Sequence, residues 1–175
     1  MAKVSLTKLG LAKDTSVSTF EWNGQAVEVK QYLPLKDKLT LVETIVNNSL
    51  DDNNYFNIAA VYVNTVVETV LAYTNITVTE KQKEDIEKLY DLFTSSGFSG
   101  EVIGNQMNPS EYAQIKAWVA ETIKNIYDFK NSAVGIVSAI TQDYSNLELD
   151  ATEIQKKLTE GGNVDLLKDI LTKLG

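Results

Sequence analysis

The side chains that could do chemistry in this chain are carboxylates, lysines and hydroxyls. The sequence contains no histidine, no cysteine and no arginine, since all 16 basic residues are lysines. It therefore lacks the imidazole that usually acts as general base near neutral pH, the thiolate nucleophile, and the guanidinium that binds phosphate through two hydrogen bonds. Carboxylate glycosidases and magnesium enzymes are compatible with the remaining set. We expect a protein that is not an enzyme and that needs no cofactor.

Two segments have compositions that occur in metal or phosphate sites. Residues 51–54 read Asp-Asp-Asn-Asn, without the alternating ligands and central glycine of a calcium loop. Residues 97–104 contain three glycines, without the Lys-Ser/Thr ending of a phosphate-binding loop. We therefore predict no metal site. The first segment is expected to be a solvated acidic loop, and residues 98–107 a flexible connector with one helical turn around residues 101–103.

The net charge is −8 at pH 7, and the lysines of residues 80–88 alternate with acids. A surface of this kind repels nucleic acid and anionic membranes, so we expect neither as a partner.

Residues 55–73 are long and apolar enough to raise the question of a membrane span. They include Asn57, Asn64 and Glu68, which favours a buried helix. Residues 1–5 lead into mixed polar sequence, so we expect no signal peptide.

The clearest local pattern is a β-hairpin at residues 17–31, which follows an N-terminal arm at residues 1–16. Asn23-Gly24 is the pair preferred in a two-residue type I′ turn. Because a lone hairpin is unstable in water, its apolar face must cover a helix or another subunit. A turn at this pair places Trp22 opposite Gln25, Phe20 opposite Val27 and Ser18 opposite Val29.

A helical core is expected at residues 34–142. Pro34 suits a helix start, and Thr79 with Gln82 makes a capping box for a helix that Gly97 ends. Residues 55–74 are expected to form a central buried helix, with two strands broken near Asn64 as the alternative. The first helix is predicted to bury one face made of Leu35, Leu39, Val42, Ile45 and Val46.

The longest regular pattern predicts a helix at about 109–141. Asn108 and Pro109 are typical of a helix start, and apolar residues then recur at alternating steps of three and four. Asn131-Ser132 and Gly135 are the points where this helix would kink or break. Residues 150–175 are expected to form a C-terminal helical pair. The predicted fold class is therefore mainly α with a small N-terminal β-hairpin, a helical bundle with one long helix.

Large aromatic and apolar residues are the best candidates for partner contacts, because they bury much area at small entropic cost. The alternative for each is a place in the core, and the long helix could either pack within the chain or mediate self-association. Leu6–Gly10 and Leu171–Gly175 share one sequence, which is either coincidence or a sign that both ends dock in similar grooves on neighbouring subunits. The candidates are Phe20, Trp22, Val27, Tyr32, Trp118, Ile126, Leu171 and Leu174.

Several segments resemble small proteins of tailed phages and prophages of low-GC Gram-positive hosts. The resemblance spans nearly the whole chain, but none of its segments is a catalytic motif. The segments are Trp22-Asn23-Gly24, Val27-Glu28-Val29-Lys30-Gln31-Tyr32-Leu33-Pro34, Thr79-Glu80-Lys81-Gln82-Lys83-Glu84-Asp85, Lys88-Leu89-Tyr90-Asp91-Leu92, and the run from Leu166 to Gly175.

The resemblance implies a role in building a phage particle. It implies a virion component of the head, neck or tail that binds other phage structural proteins, or itself, as an oligomer. Such a protein would lie in the host cytoplasm during assembly. The first alternative is a tail assembly chaperone absent from the mature virion, since those proteins are also small, acidic and helical with an N-terminal hairpin. The second is a phage-encoded inhibitor of a host defence protein.

Overall fold

The computed structural model describes residues 3–51, 55–136 and 138, which are mainly helical with one two-stranded hairpin. The predicted fold class is confirmed. The chain divides into two compact units, Met1–Glu121 and Thr122–Gly175. The predicted helical pair at 150–175 lies outside the described residues.

Strands β1 (Val17–Trp22) and β2 (Gln25–Lys30) form the hairpin. Asn23 and Gly24 connect them with φ values of 50° and 77°, as a type I′ turn requires. One face of the hairpin is covered, and Val29 on that face is fully buried. The predicted register is confirmed, with Trp22 opposite Gln25, Phe20 opposite Val27 and Ser18 opposite Val29.

Helix α1 (Leu35–Asn47) begins directly after Pro34, as predicted. The face that it buries differs from the prediction, which was wrong at two positions. Leu35 and Leu39 are exposed, whereas Lys38 is buried. The physical reason is that the charge of Lys38 is compensated by Glu111, so the helix can turn a lysine inward. The apolar residues that α1 buries are Leu41, Val42, Ile45 and Val46.

Helix α2 (Ile58–Tyr73) is the central helix, and the alternative of two strands is wrong. The Asn57 side chain caps it by accepting hydrogen bonds from the N–H groups of Ala59 and Ala60. The buried residues of α2 lie between Asn64 and Tyr73, its last residue. The helix packs against α1. None of the described helices is both long enough and apolar enough to cross a membrane.

The helix predicted from Thr79 to Gly97 is divided into two. Helix α3 (Glu80–Lys83) begins with the predicted Thr79–Gln82 capping box, which is confirmed. Helix α4 (Ile86–Ser95) has its own cap, because the Asp85 carboxylate accepts the N–H of Lys88 at 3.2 Å. Gly97 follows α4 with a φ of 81°, the left-handed conformation expected of a residue after a helix end.

The glycine-containing connector includes the helical turn predicted around residues 101–103, and it is helical over a longer range than predicted. Helix α5 (Phe98–Gly100) continues into a π-helix (Glu101–Gln106), which ends with the Met107 N–H donating to the Val102 carbonyl at 2.8 Å. Phe98 and Val102 are buried. Burial of these two side chains, which glycine spacing alone does not reveal, fixes the segment against the core.

Helix α6 (Pro109–Lys130) begins as predicted, because the Asn108 side chain accepts the N–H of Ser110 at 3.0 Å. Its buried positions include Ile115 and Val119, at the predicted spacing. The expected continuation to residue 141 was wrong, since the helix ends at Lys130.

The end of α6 has a local cause. Asn131 and Ser132 form a turn in which the Ser132 N–H donates to the Phe129 carbonyl at 3.0 Å, and helical conformation resumes at Ala133. The Ser132 hydroxyl accepts the N–H of Gly135 at 3.1 Å. Gly135 lies so close to the Phe129 carbonyl that a Cβ atom would not fit. The sequence signal at these residues therefore marks a break in the helix.

We predict that Thr69→Val raises the free energy of unfolding by about 1 kcal/mol, as judged by urea denaturation. Thr69 is fully buried in α2, and its hydroxyl has no hydrogen-bond partner among the described residues. Thr65→Val is the matched control, because the buried Thr65 hydroxyl donates to the Val61 carbonyl at 2.6 Å. The control should gain less stability, or lose it. A less stable Thr69→Val protein would contradict the prediction.

Candidate functional site

A cluster of buried polar groups surrounds Glu111, at the start of α6. Lys38 of α1 donates to one carboxylate oxygen of Glu111 at 2.7 Å. The two residues are only 3% and 7% exposed. The same ammonium group donates to the Gln114 side-chain oxygen at 2.7 Å and lies 4.5 Å from the centre of the Tyr32 ring. We call these groups, with Tyr73, the buried polar centre.

The second carboxylate oxygen of Glu111 is also satisfied. It accepts the N–H of Leu33 at 3.0 Å and the hydroxyl of Tyr73 at 2.9 Å. The carboxylate thereby joins the segment before α1, the end of α2 and the start of α6. Lys38 adds α1 to the same network.

These contacts set the protonation states of the centre. Burial alone would raise the pKa of Glu111, but the hydrogen bonds from Lys38, Leu33 and Tyr73 outweigh it and hold the pKa below its ordinary value. Burial and the bond to Glu111 raise the pKa of the Tyr73 phenol far above its usual range. The centre is thus a carboxylate, an ammonium group and a neutral phenol whose hydrogen bonds are directed at one another, which suits a structural role better than a catalytic one.

The covered face of the hairpin packs on the segment that follows α4. The Trp22 ring lies 5.1 Å from the Phe98 ring at 76°, and Phe20 lies 6.0 Å from Phe98. The Gln106 carbonyl, at the end of the π-helix, accepts from the Gln31 side chain at 2.8 Å and from the Ser18 hydroxyl at 3.1 Å. The hairpin is therefore held at this side by aromatic contacts and by hydrogen bonds to Gln106. Its second strand is also held by Asn75, whose side-chain oxygen accepts the Glu28 N–H at 3.1 Å and whose N–H donates to the Glu28 carbonyl at 3.3 Å.

The structure gives the predicted partner-contact residues different environments. Val27 is buried, which makes it a core residue of this fold. The two hairpin aromatics, Phe20 and Trp22, are half-buried against Phe98. Tyr32 is partly exposed and lines a groove of about 330 Å³. Trp118 and Ile126 on α6 are half-buried, and Leu171 and Leu174 lie outside the described residues.

Among the described residues, the most exposed group of leucines lies in the N-terminal arm, of which the structure describes residues 3–16. Leu6, Leu9 and Leu11 are 74%, 56% and 71% exposed. A short 3₁₀ helix (Leu6–Leu9) places the first two on one side, since residues three apart align in such a helix. None of these leucines was among the candidate contact residues, although the sequence shared by Leu6–Gly10 and Leu171–Gly175 offered docking of this segment on a neighbouring subunit as one interpretation. Their exposure could not be predicted from residue type, because leucine in a sequence more often indicates a core position.

A groove lies between α3 and α4, with a volume of about 280 Å³. Leu89 and Leu92 provide its apolar lining, and Leu92 is 57% exposed. We call this the α3–α4 groove. Its polar lining residues are Thr79, Lys81, Gln82, Asp85 and Lys88.

A third apolar surface combines tyrosines from three helices. The Tyr62 and Tyr90 rings are 5.9 Å apart at 66°. Burial raises the pKa of Tyr112, and the neighbouring Tyr62 and Tyr90 raise it further. The Tyr62 and Tyr90 rings pack on each other within the chain, so they connect α2 and α4. Among the described residues, no group of three or more acids could hold a metal ion.

We predict that Lys38→Met lowers the free energy of unfolding by about 3–5 kcal/mol, because it leaves the Glu111 charge buried without its partner. Adding Glu111→Gln should recover part of the loss, since the amide removes the charge and still accepts from Leu33 or Tyr73. Urea denaturation of the two variants and the parent measures both effects. A double variant less stable than Lys38→Met would contradict this account of the pair.

The buried polar centre also predicts an acid-induced loss of stability. The folded-state pKa of Glu111 is depressed, so its contribution is present above the ordinary value of 4.5 and is lost as pH falls through the folded value. Urea midpoints measured from pH 6 downward, in steps of about half a unit, should fall less steeply in Lys38→Met/Glu111→Gln than in the parent. Glu101→Gln is the control, because half-buried Glu101 also has a lowered pKa, from its hydrogen bonds to Gln106 and Asn105. Equal slopes in all three would refute the role of Glu111.

Comparisons of this chain with models of protein families, with curated proteins and with solved structures find no match.

Proposed function

We propose that this chain is a structural or morphogenesis protein of a tailed-phage virion, a component of the head, neck or tail that acts by binding other proteins. The exposed leucines of the N-terminal arm carry the proposal. Three leucines more than half exposed within six residues form an apolar segment that gains free energy when a partner covers it.

Hydrogen bonds at the end of the arm, where it joins the hairpin, support the same proposal. The Asp14 carboxylate accepts the N–H and the hydroxyl of Ser16 at 2.8 and 2.6 Å, and the Ser16 carbonyl accepts the N–H of Gln31 at 3.0 Å. The arm thus leaves the hairpin from a fixed point. A segment held at its base loses less entropy on binding than a free chain does.

The buried polar centre favours binding over catalysis. Both oxygens of the Glu111 carboxylate already accept hydrogen bonds from the fold, and the Lys38 ammonium group is directed at Glu111 and Gln114. A group that served as general base or nucleophile would need a free lone pair facing a substrate. The resemblance to phage proteins supplies the setting in which a binding protein of this kind would act.

A tail assembly chaperone is the second candidate, and the element order favours it. A short hairpin near the N-terminus is followed by a series of helices in an acidic chain. Such a chaperone would use the same arm on a tail protein and leave before the particle matures.

Mass spectrometry of purified virions separates the two candidates. We expect peptides of this chain in particles produced by a host that carries the gene with its neighbours. Their presence in assembly intermediates but not in mature particles would favour the chaperone. Their absence from both, combined with restored phage growth in a host with an active defence system, would replace both candidates with an inhibitor.

The arm itself can be tested by replacing its leucines. Leu6→Ser/Leu9→Ser/Leu11→Ser should abolish incorporation of the protein into particles or intermediates, because the apolar contact is lost. Leu35→Ser/Leu39→Ser is the matched control, since these two leucines are exposed on α1 outside the arm. Normal incorporation of the arm variant would contradict the proposed function of the arm.

A further inference from the structure

We propose that strand β1 pairs edge to edge with β1 of a second copy, so that two hairpins form one four-stranded antiparallel sheet. The inference deepens the proposed function, on which it rests, because it names a second copy of the chain as a partner. The surface that it uses is separate from the leucines of the arm. The observations that carry it are the directions of the backbone groups of β1 and the order of residues in that strand.

Hydrogen bonds at the other strand establish which backbone groups of β1 point outward. Asn75 covers the outer edge of β2, where it accepts the Glu28 N–H and donates to the Glu28 carbonyl. The backbone groups of Glu28 are therefore directed away from β1. Because both residues of such an antiparallel pair point away from each other, the N–H and C=O of Thr19, which lies opposite, point away from β2. Val17 and Glu21 follow the same alternation.

The outer edge of β1 is uncovered in the part of the chain that the structure describes. Val17, Thr19 and Glu21 are all exposed, and no described residue forms a hydrogen bond with their outward backbone groups. Sheet edges are usually protected by proline, lysine, a bulge or a covering segment. The register of β1 is unbroken, and Glu21 is its one charged residue. Such a row of backbone donors and acceptors is completed by another extended strand.

The order of residues in β1 makes the strand complementary to itself in one register. About a two-fold axis at Thr19, each Thr19 lies opposite the other, and Val17 lies opposite Glu21 of the second copy. Each of these pairs exchanges two hydrogen bonds, about six in the dimer. Threonine pairs stabilise a sheet, whereas an axis at Glu21 would place two carboxylates opposite each other. A shift of one residue would put outward groups opposite inward ones.

The aromatic residues of β1 would gain from the same contact. Phe20 and Trp22 are only half-buried, although both rings contact Phe98. In the register centred on Thr19, Phe20 lies opposite Ser18 of the second copy, on the face that packs on the helices. A neighbouring strand would therefore cover apolar area that one hairpin leaves exposed. Little of the net charge of −8 lies at this edge, since β1 contributes one carboxylate.

A single cysteine tests whether the two strands meet, since the chain has no cysteine of its own. The Cα atoms of a hydrogen-bonded antiparallel pair are about 5.5 Å apart, which is within the range of a disulfide. Under mild oxidation, Thr19→Cys should form a disulfide-linked dimer about ten-fold faster, or more, than Thr40→Cys. Thr40 is the matched control, because it is an exposed threonine on α1. Non-reducing gel electrophoresis measures both rates.

Two further cysteine variants test the register. In the proposed pairing the two Glu21 positions are four residues out of alignment, about 14 Å along the strands, so Glu21→Cys should not cross-link with itself. Val17→Cys should not either, for the same reason. An equimolar mixture of the two should form a mixed disulfide dimer, which mass spectrometry identifies. A Glu21→Cys protein that dimerises as fast as Thr19→Cys would overturn the proposed pairing.

A charge exchange tests the contact without a covalent bond. Thr19→Lys and Thr19→Glu each place like charges opposite each other, so each should raise the dissociation constant of the dimer about five-fold or more. An equimolar mixture should associate like the parent, because lysine then faces glutamate. Thr40→Lys and Thr40→Glu, which make the same changes on α1, should associate like the parent alone and mixed. Light scattering coupled to size exclusion measures association, and circular dichroism should be unchanged in all four variants.

Three outcomes would overturn the edge contact. The first is a parent that is monomeric at all concentrations, and the second is a Thr19→Cys protein that cross-links no faster than Thr40→Cys. In the third, Thr19→Cys cross-links to another phage structural protein and not to itself, which would replace the second copy with a strand of that protein.

Failure of this inference can be told apart from failure of the proposed function. A protein that associates through Thr19 but occurs in neither particles nor assembly intermediates would support the edge contact and overturn the proposed function. A monomeric protein whose incorporation into particles is unaffected by Thr19→Lys would overturn the edge contact and leave the proposed function in place.

Discussion

Glu111 is a charged side chain in a buried position, and three other segments supply the groups that compensate it. Lys38 comes from α1, the Leu33 N–H from the segment before it, and the Tyr73 hydroxyl from the end of α2. A buried charge without partners costs several kcal/mol. Moving any one of these segments would break its hydrogen bond to Glu111, and the cost of that loss opposes the movement. The carboxylate thus fixes how α1, α2 and α6 pack together. Apolar contacts alone would define this arrangement less uniquely.

The hairpin takes its position from that helical framework. The π-helix ends where the Gln106 carbonyl can accept from both Gln31 and Ser18, and Phe98 beside it receives the aromatic rings of β1. Gln31 also holds the Ser16 carbonyl through its own N–H. A continuous chain of contacts therefore runs from the helices through the hairpin to the base of the arm. The arm leaves a framework whose position is determined, which reduces the entropy lost when a partner binds.

Charge is distributed unevenly along the chain. Residues 3–16 are basic and carry three exposed leucines, whereas the remaining residues carry a net negative charge. The Tyr62 and Tyr90 rings differ from these leucines, since they already pack on each other.

Local sequence signals were sufficient to predict the hairpin and two of the helix starts. Asn23-Gly24 fixed the turn and hence the hairpin register, and the caps at Thr79 and Asn108 fixed two helix starts, because these signals act through neighbouring backbone groups. Features that depend on residues distant in sequence could not be predicted in this way, because they arise from the packing of the fold. This packing turned Lys38 inward instead of Leu35 and Leu39, since only the fold brings Glu111 within 2.7 Å. It also ordered the glycine-containing connector around Phe98 and left the leucines of the arm exposed, because burial is a property of the whole fold and not of a residue type.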